Sequence, residues 1–387
     1  MFNKRTLKLI GIYMKTYALL GSNPYEWNDT NECAIECRGS SRKVCFAIAA
    51  GNTALYVSYL WWRLVQVLQT EKPSFPDVAW IYIWINQFQW SLTTCYNAYR
   101  KKGEVVPLFR GLKKLSTTLE KENPTAQMKN LIWKFNIIDL NFLVIMWIVF
   151  IYNAAVTLMF YVIPTRVQYL YSLVSQENNR QSWHFLLFLI FEAYSKVAQT
   201  CMMATDGFTV FPVLLSTGFW LKFTRKQKIS ILEKIRNFQR LHILMIYYNN
   251  AFTWLLKPVV FVWIPAALII ACGFASIRFR SFLSFFEYIP FPVLVYNCCV
   301  ILSVTMHPAT KVYEESIKLH QTLVHDHHVS RRKSRLRRKE LAALRPFGVK
   351  VGFIQAVKKV EILINYYFIS NHIFTLLITF PEDQIRH

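Results

Sequence analysis

The sequence predicts an all-α, polytopic membrane protein with seven transmembrane helices, and three observations lead to this fold class. Of the 387 residues, 54% are hydrophobic and 17% are charged, whereas about a quarter are charged in soluble domains. The apolar residues gather into long blocks, and lysine and arginine alternate sharply between the segments that join the blocks. This composition argues against an ordinary soluble enzyme, a disordered chain and a collagen-like repeat.

Seven blocks are long enough to cross a bilayer, because a hydrocarbon core of roughly 30 Å needs about 20 apolar residues in a helix. Helices are required because lipid offers backbone groups no hydrogen-bond partner, and the alternating pattern of a β-barrel is missing from the blocks. The fourth block is too long for one crossing and should continue into water. The predicted spans cover residues 44–68, 77–98, 137–163, 184–221, 259–277, 288–306 and 361–380.

The distribution of lysine and arginine predicts the orientation of the spans. Alternate segments outside the blocks hold 37 of these residues on one side and 6 on the other. Because positive charge favours the cytoplasmic side of short loops, the N-terminus and three long loops should be cytoplasmic and the C-terminus extracellular. Most of the net charge of +23 is then the cytoplasmic face of a membrane protein. Lys15 interrupts the first apolar run, so a cleaved signal peptide is not expected.

The predicted cytoplasmic segments are more than tethers. An apolar stripe recurs every three or four residues after Ile229, with lysine, arginine and glutamine opposite, which is typical of an amphipathic helix. Such a helix could pack into an intracellular anchor layer or lie in the membrane interface. The stripe residues are Leu232, Ile235, Phe238, Leu241, Leu244 and Tyr248.

Six regions follow from the spans and their flanks. They are an N-terminal cytoplasmic segment (1–43), transmembrane helices 1–4 (44–221), a cytoplasmic amphipathic helix (222–258), transmembrane helices 5–6 (259–306), a basic cytoplasmic loop with an anchor helix (307–360), and a final helix with an extracellular C-terminus (361–387).

Nucleic-acid, metal and catalytic sites are not predicted. The basic run 331–339 lacks the interleaved aromatic residues that stack on bases, so contact with anionic lipid headgroups is the more natural interpretation. Cys33 and Cys37 are one helical turn apart, but no matching pair of ligands follows at zinc-site spacing. The sequence has no Gly-rich phosphate loop, zinc-binding His-Glu pair or nucleophile elbow. We therefore expect neither an enzyme nor a bound cofactor.

Two ionisable residues inside the fourth span form the predicted intramembrane pair. Glu192 and Lys196 are four residues apart, in the order that favours pairing along one helix face. Together with Asp206 they could couple ions in a secondary transporter, or they could simply neutralise each other inside the bundle. A G-protein-coupled receptor is a further alternative, although an Asp-Arg-Tyr-like triplet and an Asn-Pro-x-x-Tyr sequence are missing. The Asn28-Asp29-Thr30 sequon would be modified only if the N-terminus were outside.

The last forty residues carry a family resemblance. The run Leu344-Arg345-Pro346-Phe347-Gly348-Val349-Lys350-Val351-Gly352 leads into a span that ends Ser370-Asn371-His372-Ile373-Phe374-Thr375-Leu376-Leu377-Ile378-Thr379-Phe380. This region resembles the C-terminal region of arthropod chemoreceptors, the insect gustatory and odorant receptor superfamily, in a divergent gustatory-like form. The gustatory signature Thr-Tyr, five apolar residues and Gln-Phe would fall on residues 372–380, where His372, Ile373 and Thr379 differ from it.

The resemblance implies a chemosensory receptor in the plasma membrane that acts as a ligand-gated cation channel. It implies a homo- or hetero-tetramer whose final helix lines a central pore, with a tastant or odorant as the ligand. His372, Leu376, Thr379 and Phe380 are the expected pore-lining or gate residues, with Leu376 and Phe380 as a constriction that gates by dewetting. Ordinary helix packing is the alternative explanation for this set.

The resemblance also implies a ligand pocket in the outer half of each subunit. Aromatic side chains suit such a pocket because they bury large areas with few rotamers. Aromatic belts at the membrane interface explain many of the same residues equally well. The candidate pocket residues are Trp84, Phe88, Tyr152, Phe160, Phe191 and Tyr194.

Overall fold

The computed structural model describes residues 4–37, 39–71, 73–123, 137–174, 183–252, 259–281, 283–329, 335–351 and 356–381. Within these ranges the chain is predominantly helical, as predicted. The helices are α1 (Lys4–Leu19), α2 (Ser40–Leu68), α3 (Phe75–Arg100), α4 (Lys102–Glu122), α5 (Ile137–Val162), α6 (Trp183–Lys226), α7 (Ile231–Ala251), α8 (Ile264–Arg278), α9 (Phe285–Tyr288), α10 (Pro290–Val329), α11 (Arg335–Ala343) and α12 (Lys359–Thr379).

Each predicted span coincides with a long helix, and the fifth also includes a π-helical turn, Val259–Trp263, before α8. Six of these helices in the described residues are long and apolar enough to cross a membrane. The exception is α3, which carries Asn86, Gln87 and Asn97 among its apolar residues. All three side chains are buried within the protein, so α3 does not offer them to lipid. The chain is therefore a multi-pass membrane protein.

Two helices are much longer than a bilayer is thick. At 1.5 Å per residue, the 44 residues of α6 and the 40 residues of α10 extend over roughly 66 Å and 60 Å. Their excess length packs with α4 and α7 in a helical layer beside the bundle. The amphipathic stripe of α7 is buried there, from Ile235 to Tyr248, although Leu232 at its start is 48% exposed. Packing within the protein thus accounts for the stripe without a membrane interface.

Ion pairs join the helices of this layer. Arg225 of α6 donates through Nε and Nη2 to Glu315 of α10, at 3.1 and 3.0 Å. Lys234 of α7 lies 2.8 Å from Asp326 of α10. Residues 330–334 and 352–355 of the predicted basic loop and anchor helix (307–360) lie outside the described ranges.

A small β-hairpin in the N-terminal segment was not predicted. Strand β1 (Tyr25–Asn28) pairs antiparallel with β2 (Cys33–Glu36), and both pack between α1 and α4. The turn before the hairpin requires glycine at position 21, because Gly21 has φ +70° and a Cβ there would lie 2.5 Å from the Cys45 carbonyl oxygen. Four-residue strands carry too little periodicity to be recognised within a basic, mixed segment.

Helix α12 is attached to the bundle along one side only, mainly against α8. Gly273 of α8 allows this approach, since a Cβ there would lie 2.9 Å from Cδ1 of Ile373. Ile369 is the one buried residue among the described positions of α12. Most of the surface of the last helix therefore remains open in a single chain.

Candidate functional site

A lysine buried in the middle of the bundle forms the most unusual polar site. Lys196 of α6 is 1% exposed, and Glu192, one helical turn earlier, is equally buried. Their closest charged atoms, Nζ and Oε2, are 3.6 Å apart. This distance is within ion-pair range, but Nζ makes no hydrogen bond within the described part of the chain. A charged group in a membrane interior is costly and calls for an explanation.

Aromatic rings from three parts of the chain surround the lysine ammonium. The ring centroids of Trp84, Tyr56 and Phe88 lie 3.8, 4.1 and 4.6 Å from Nζ, and that of Tyr169 lies 5.9 Å away. Each ring face attracts a cation electrostatically at such distances. The stacking of Tyr56 on Phe88, with centroids 4.4 Å apart, fixes two of the rings. We call this arrangement the lysine box, comprising Lys196, Glu192, Tyr56, Trp84, Phe88 and Tyr169.

The carboxylate of the box has more partners than the ammonium. The Tyr56 hydroxyl lies 2.8 and 2.7 Å from the two oxygens of Glu192 and donates to the carboxylate. The backbone N–H of Leu170 donates to the same carboxylate at 3.2 Å. Together with the Lys196 charge, these donors offset part of the cost of burying the Glu192 carboxylate away from water.

The segment between α5 and α6 closes the box from one end of the bundle. Tyr59 donates to the carbonyl oxygens of Val167 and Tyr169, at 3.1 and 2.9 Å. Arg166 lies 3.3 Å from Asp77 at the start of α3 and also contacts Glu287 of α9. These contacts attach residues 163–174 to the ends of the helices that form the box. We call this stretch the box loop.

Three members of the box carry a buried polar atom without a hydrogen-bond partner among the described residues: Lys196 (Nζ), Trp84 (Nε1) and Tyr169 (Oη). The amide atoms of Gln168, in the box loop, are also without partners there. Buried polar groups without partners are rare in folded proteins and often mark a site for water or a ligand.

The six predicted pocket residues separate into groups. Trp84 and Phe88 belong to the lysine box, and the Tyr152 hydroxyl donates to Gln87, next to Phe88 on α3. Phe160 packs in an aromatic cluster with Tyr171, Phe185 and the box residue Tyr169, so it borders the box without itself belonging to it. The remaining two, Phe191 and Tyr194, are 37% and 36% exposed on the outside of the bundle. Their exposure fits contact with lipid better than a pocket wall.

The predicted pore residues fall on two neighbouring stripes of α12. Leu376 and Phe380 pack partly buried against the core, and Phe380 lies edge-to-face with Phe75 and Phe274. His372 and Thr379 are exposed. Their stripe, in which neighbours are three or four residues apart, is mainly polar: Glu361, Asn365, Phe368, His372, Thr375 and Thr379. We call this the polar stripe.

Asp206, the third ionisable residue of α6, lies apart from the box. Ten residues of helix separate it from Lys196, which corresponds to about 15 Å. Its carboxylate accepts a hydrogen bond of 2.5 Å from Thr94 and is 3% exposed. The three ionisable groups are therefore not brought together as one ion-coupling cluster.

Sequence reasoning missed Tyr56, Tyr169 and the box loop. Neither tyrosine stands in a motif, and the contacts join positions as far apart as Tyr56 and Lys196, 140 residues from each other. The pairing of Glu192 with Lys196 was visible in the sequence because both lie on one helix.

The chain has the fold of insect olfactory receptors. It is similar to the structure of the olfactory receptor OR5 from Machilis hrabei in complex with eugenol, with a TM-score of 0.63 and 14% identity, covering 97% of this chain and 98% of that one. A second structure of OR5 from Machilis hrabei gives a TM-score of 0.64 and 14% identity, covering 96% of this chain and 97% of that one. No protein-family model and no curated protein sequence matches the chain.

Proposed function

We propose that the chain is a subunit of a ligand-gated cation channel and acts as a chemosensory receptor in the plasma membrane. The observation that carries this proposal is the likeness of fold, over 97% of the chain, to an insect olfactory receptor solved with the small molecule eugenol. Open surface along α12 supports it, because an apolar helix attached along one side is suited to contact further subunits. A tetramer is the assembly that the family resemblance implies.

The proposed orientation has the N-terminus in the cytoplasm and the C-terminus outside. The ratio of 37 to 6 basic residues between alternate segments supports it. In this orientation α2 ends, and α3 and α6 begin, at the outer surface. The box loop then faces the extracellular side, and the helical layer of α4 and α7 is the cytoplasmic anchor. The lysine box becomes the centre of the ligand pocket.

We place the pore face on the polar stripe of α12, which includes His372 and Thr379 of the four residues predicted from the sequence and leaves out Leu376 and Phe380. Leu376 and Phe380 already pack within their own subunit, whereas His372, Thr375 and Thr379 are exposed. Polar side chains in a membrane helix favour contact with water over lipid. Phe368, 50% exposed, is the large apolar residue of this stripe and would form a hydrophobic constriction.

Recording from the purified full-length chain in a planar bilayer tests the proposal. A channel should pass cation current when a small-molecule panel is added, with neither a G protein nor an imposed substrate gradient. A G-protein-coupled receptor would pass no current of its own, and a secondary transporter would give flux that requires a coupled gradient. Ligand binding without current, in protein shown to be correctly folded, would contradict the channel.

A further inference from the structure

The unsatisfied groups of the lysine box define what is missing from it. An ammonium group and an indole N–H carry donors and no acceptor. Both Lys196 Nζ and Trp84 Nε1 lack a hydrogen-bond acceptor among the described residues. The Trp84 ring centroid is 3.8 Å from Nζ, so both donors belong to residues in direct contact. The Tyr169 hydroxyl and the Gln168 amide of the box loop, which can both donate and accept, are also without partners in the described part of the chain. The group that would satisfy the ammonium and the indole N–H is therefore a hydrogen-bond acceptor.

The charges of the box indicate that this acceptor is neutral. Glu192 already balances Lys196 at 3.6 Å and accepts from Tyr56 and from the backbone of Leu170. An anionic guest would add an uncompensated charge to a buried site, which is costly. A cationic guest would compete with the ammonium that already occupies the aromatic rings. A neutral molecule with an accepting oxygen avoids both costs.

Displacement of the box loop would give a ligand both access to the box and space within it. Tyr169 is the wall of the box that belongs to the loop, and its ring centroid is the farthest of the four from Nζ, at 5.9 Å. Tyr59 holds the loop through two backbone carbonyl oxygens, and Arg166 holds it through ion pairs. Displacing the loop would remove one phenol ring from beside the ammonium, which is room for a small apolar molecule.

We propose that the lysine box binds a neutral carbonyl compound, whose oxygen accepts from Lys196 while its apolar body replaces Tyr169 against Trp84 and Phe88. This inference rests on the proposed function and specifies the ligand class of the same pocket. Lys196 is then the residue that distinguishes carbonyl compounds from hydrocarbons of equal shape. The exposed Phe191 and Tyr194, on the outside of the bundle, take no part.

Matched pairs of probes test the proposal on the full chain in lipid nanodiscs. Acetophenone and isopropenylbenzene differ by a carbonyl oxygen against a methylene group, as do 2-heptanone and 2-methyl-1-heptene. Equilibrium binding, followed by intrinsic tryptophan fluorescence, should favour each carbonyl compound by roughly 10-fold or more, because its partner is a charged donor. In the double variant Glu192→Gln, Lys196→Met, which keeps the site neutral and retains only the uncharged donors, the preference should fall to a few-fold at most.

The outcomes separate this inference from the channel proposal. A carbonyl preference without current would contradict the channel alone, and current without a carbonyl preference would overturn the ligand class alone. Equal affinity within both pairs, or no binding of either pair, would mean that water accepts the hydrogen bonds of Lys196 and Trp84. Either result would overturn the inference. A preference that survives undiminished in the double variant, or tighter binding of 1-phenylethylamine than of acetophenone, would also overturn it.

Discussion

Replacing Lys196 with methionine should destabilise the protein strongly, because it removes one charge of a buried pair and leaves the other. Lys196 and Glu192 are both 1% exposed, so little solvent is available to screen the remaining carboxylate. Breaking a buried ion pair by removing one partner costs roughly 3–5 kcal/mol. The loss of contact between the ammonium and three close rings adds to that cost. The Tyr56 hydroxyl and the Leu170 N–H would still donate to Glu192 but could not neutralise it.

The double variant Glu192→Gln, Lys196→Met separates the charge effect from the loss of packing. It removes both charges and keeps the side-chain volumes similar, so it should recover most of the loss caused by Lys196→Met alone. Thermal unfolding of the purified protein, monitored by size-exclusion chromatography of heated samples, measures the order of stability. The expected order is wild type, then double variant, then single variant. A double variant no more stable than Lys196→Met would refute the idea that Glu192 is the counter-charge.

Three further predictions concern the regions outside the bundle. Asn28 should remain unglycosylated in eukaryotic cells, so that endoglycosidase treatment leaves the protein's mobility unchanged; a shift would contradict a cytoplasmic N-terminus. Burial and the hydrogen bond to Glu26 raise the pKa of the Cys37 thiol to about 11. Glu26→Gln should therefore lower that pKa and increase the thiolate fraction at pH 8. Maleimide labelling of Cys37, followed by mass spectrometry, should then be faster. An unchanged labelling rate would refute this role of Glu26. Arg225→Met should reduce stability by roughly 1.5–3 kcal/mol, because it removes the charged hydrogen bonds from Arg225 to Glu315. The control Lys222→Met, at an exposed position, should change stability by less than about 0.5 kcal/mol. Equal effects of the two variants would show that the ion pair contributes nothing.

The membrane helices could be predicted because their signal is local. A helix that crosses a bilayer needs about 20 consecutive apolar residues, so each span can be recognised from its own segment of sequence. The signal is weakest in α3, whose buried polar residues leave it outside the six described helices that are apolar enough to cross a membrane. The resemblance of the C-terminal forty residues pointed to the fold that the comparison with solved structures then showed.

The lysine box depends on tertiary contacts that no local pattern contains. Tyr56 contacts Glu192 across 136 positions of sequence. The box loop is bound through its backbone carbonyl oxygens, which every residue type has, so its sequence does not reveal the contact. Aromatic residues are so frequent in this chain that depth alone could not separate pocket from lipid-facing positions. Phe191 and Trp84 were equally plausible from the sequence, yet the first is 37% exposed and the second 2%.

The faces of α12 show the same limit on a smaller scale. Helical spacing placed His372, Leu376, Thr379 and Phe380 within one arc, which the structure divides into a packed stripe and the polar stripe. The choice between them depends on where α8 lies, and Gly273 determines how closely it approaches.

The central claim is that this chain itself forms a pore lined by the polar stripe of α12. The most direct measurement is ligand-evoked current in His372→Cys before and after a cationic methanethiosulfonate reagent, with Phe374→Cys as a control on another face that is 65% exposed. The unsubstituted protein provides the baseline for the eight native cysteines. The reagent should block current through His372→Cys and leave current through Phe374→Cys at the baseline. Block at Phe374→Cys with none at His372→Cys would contradict it.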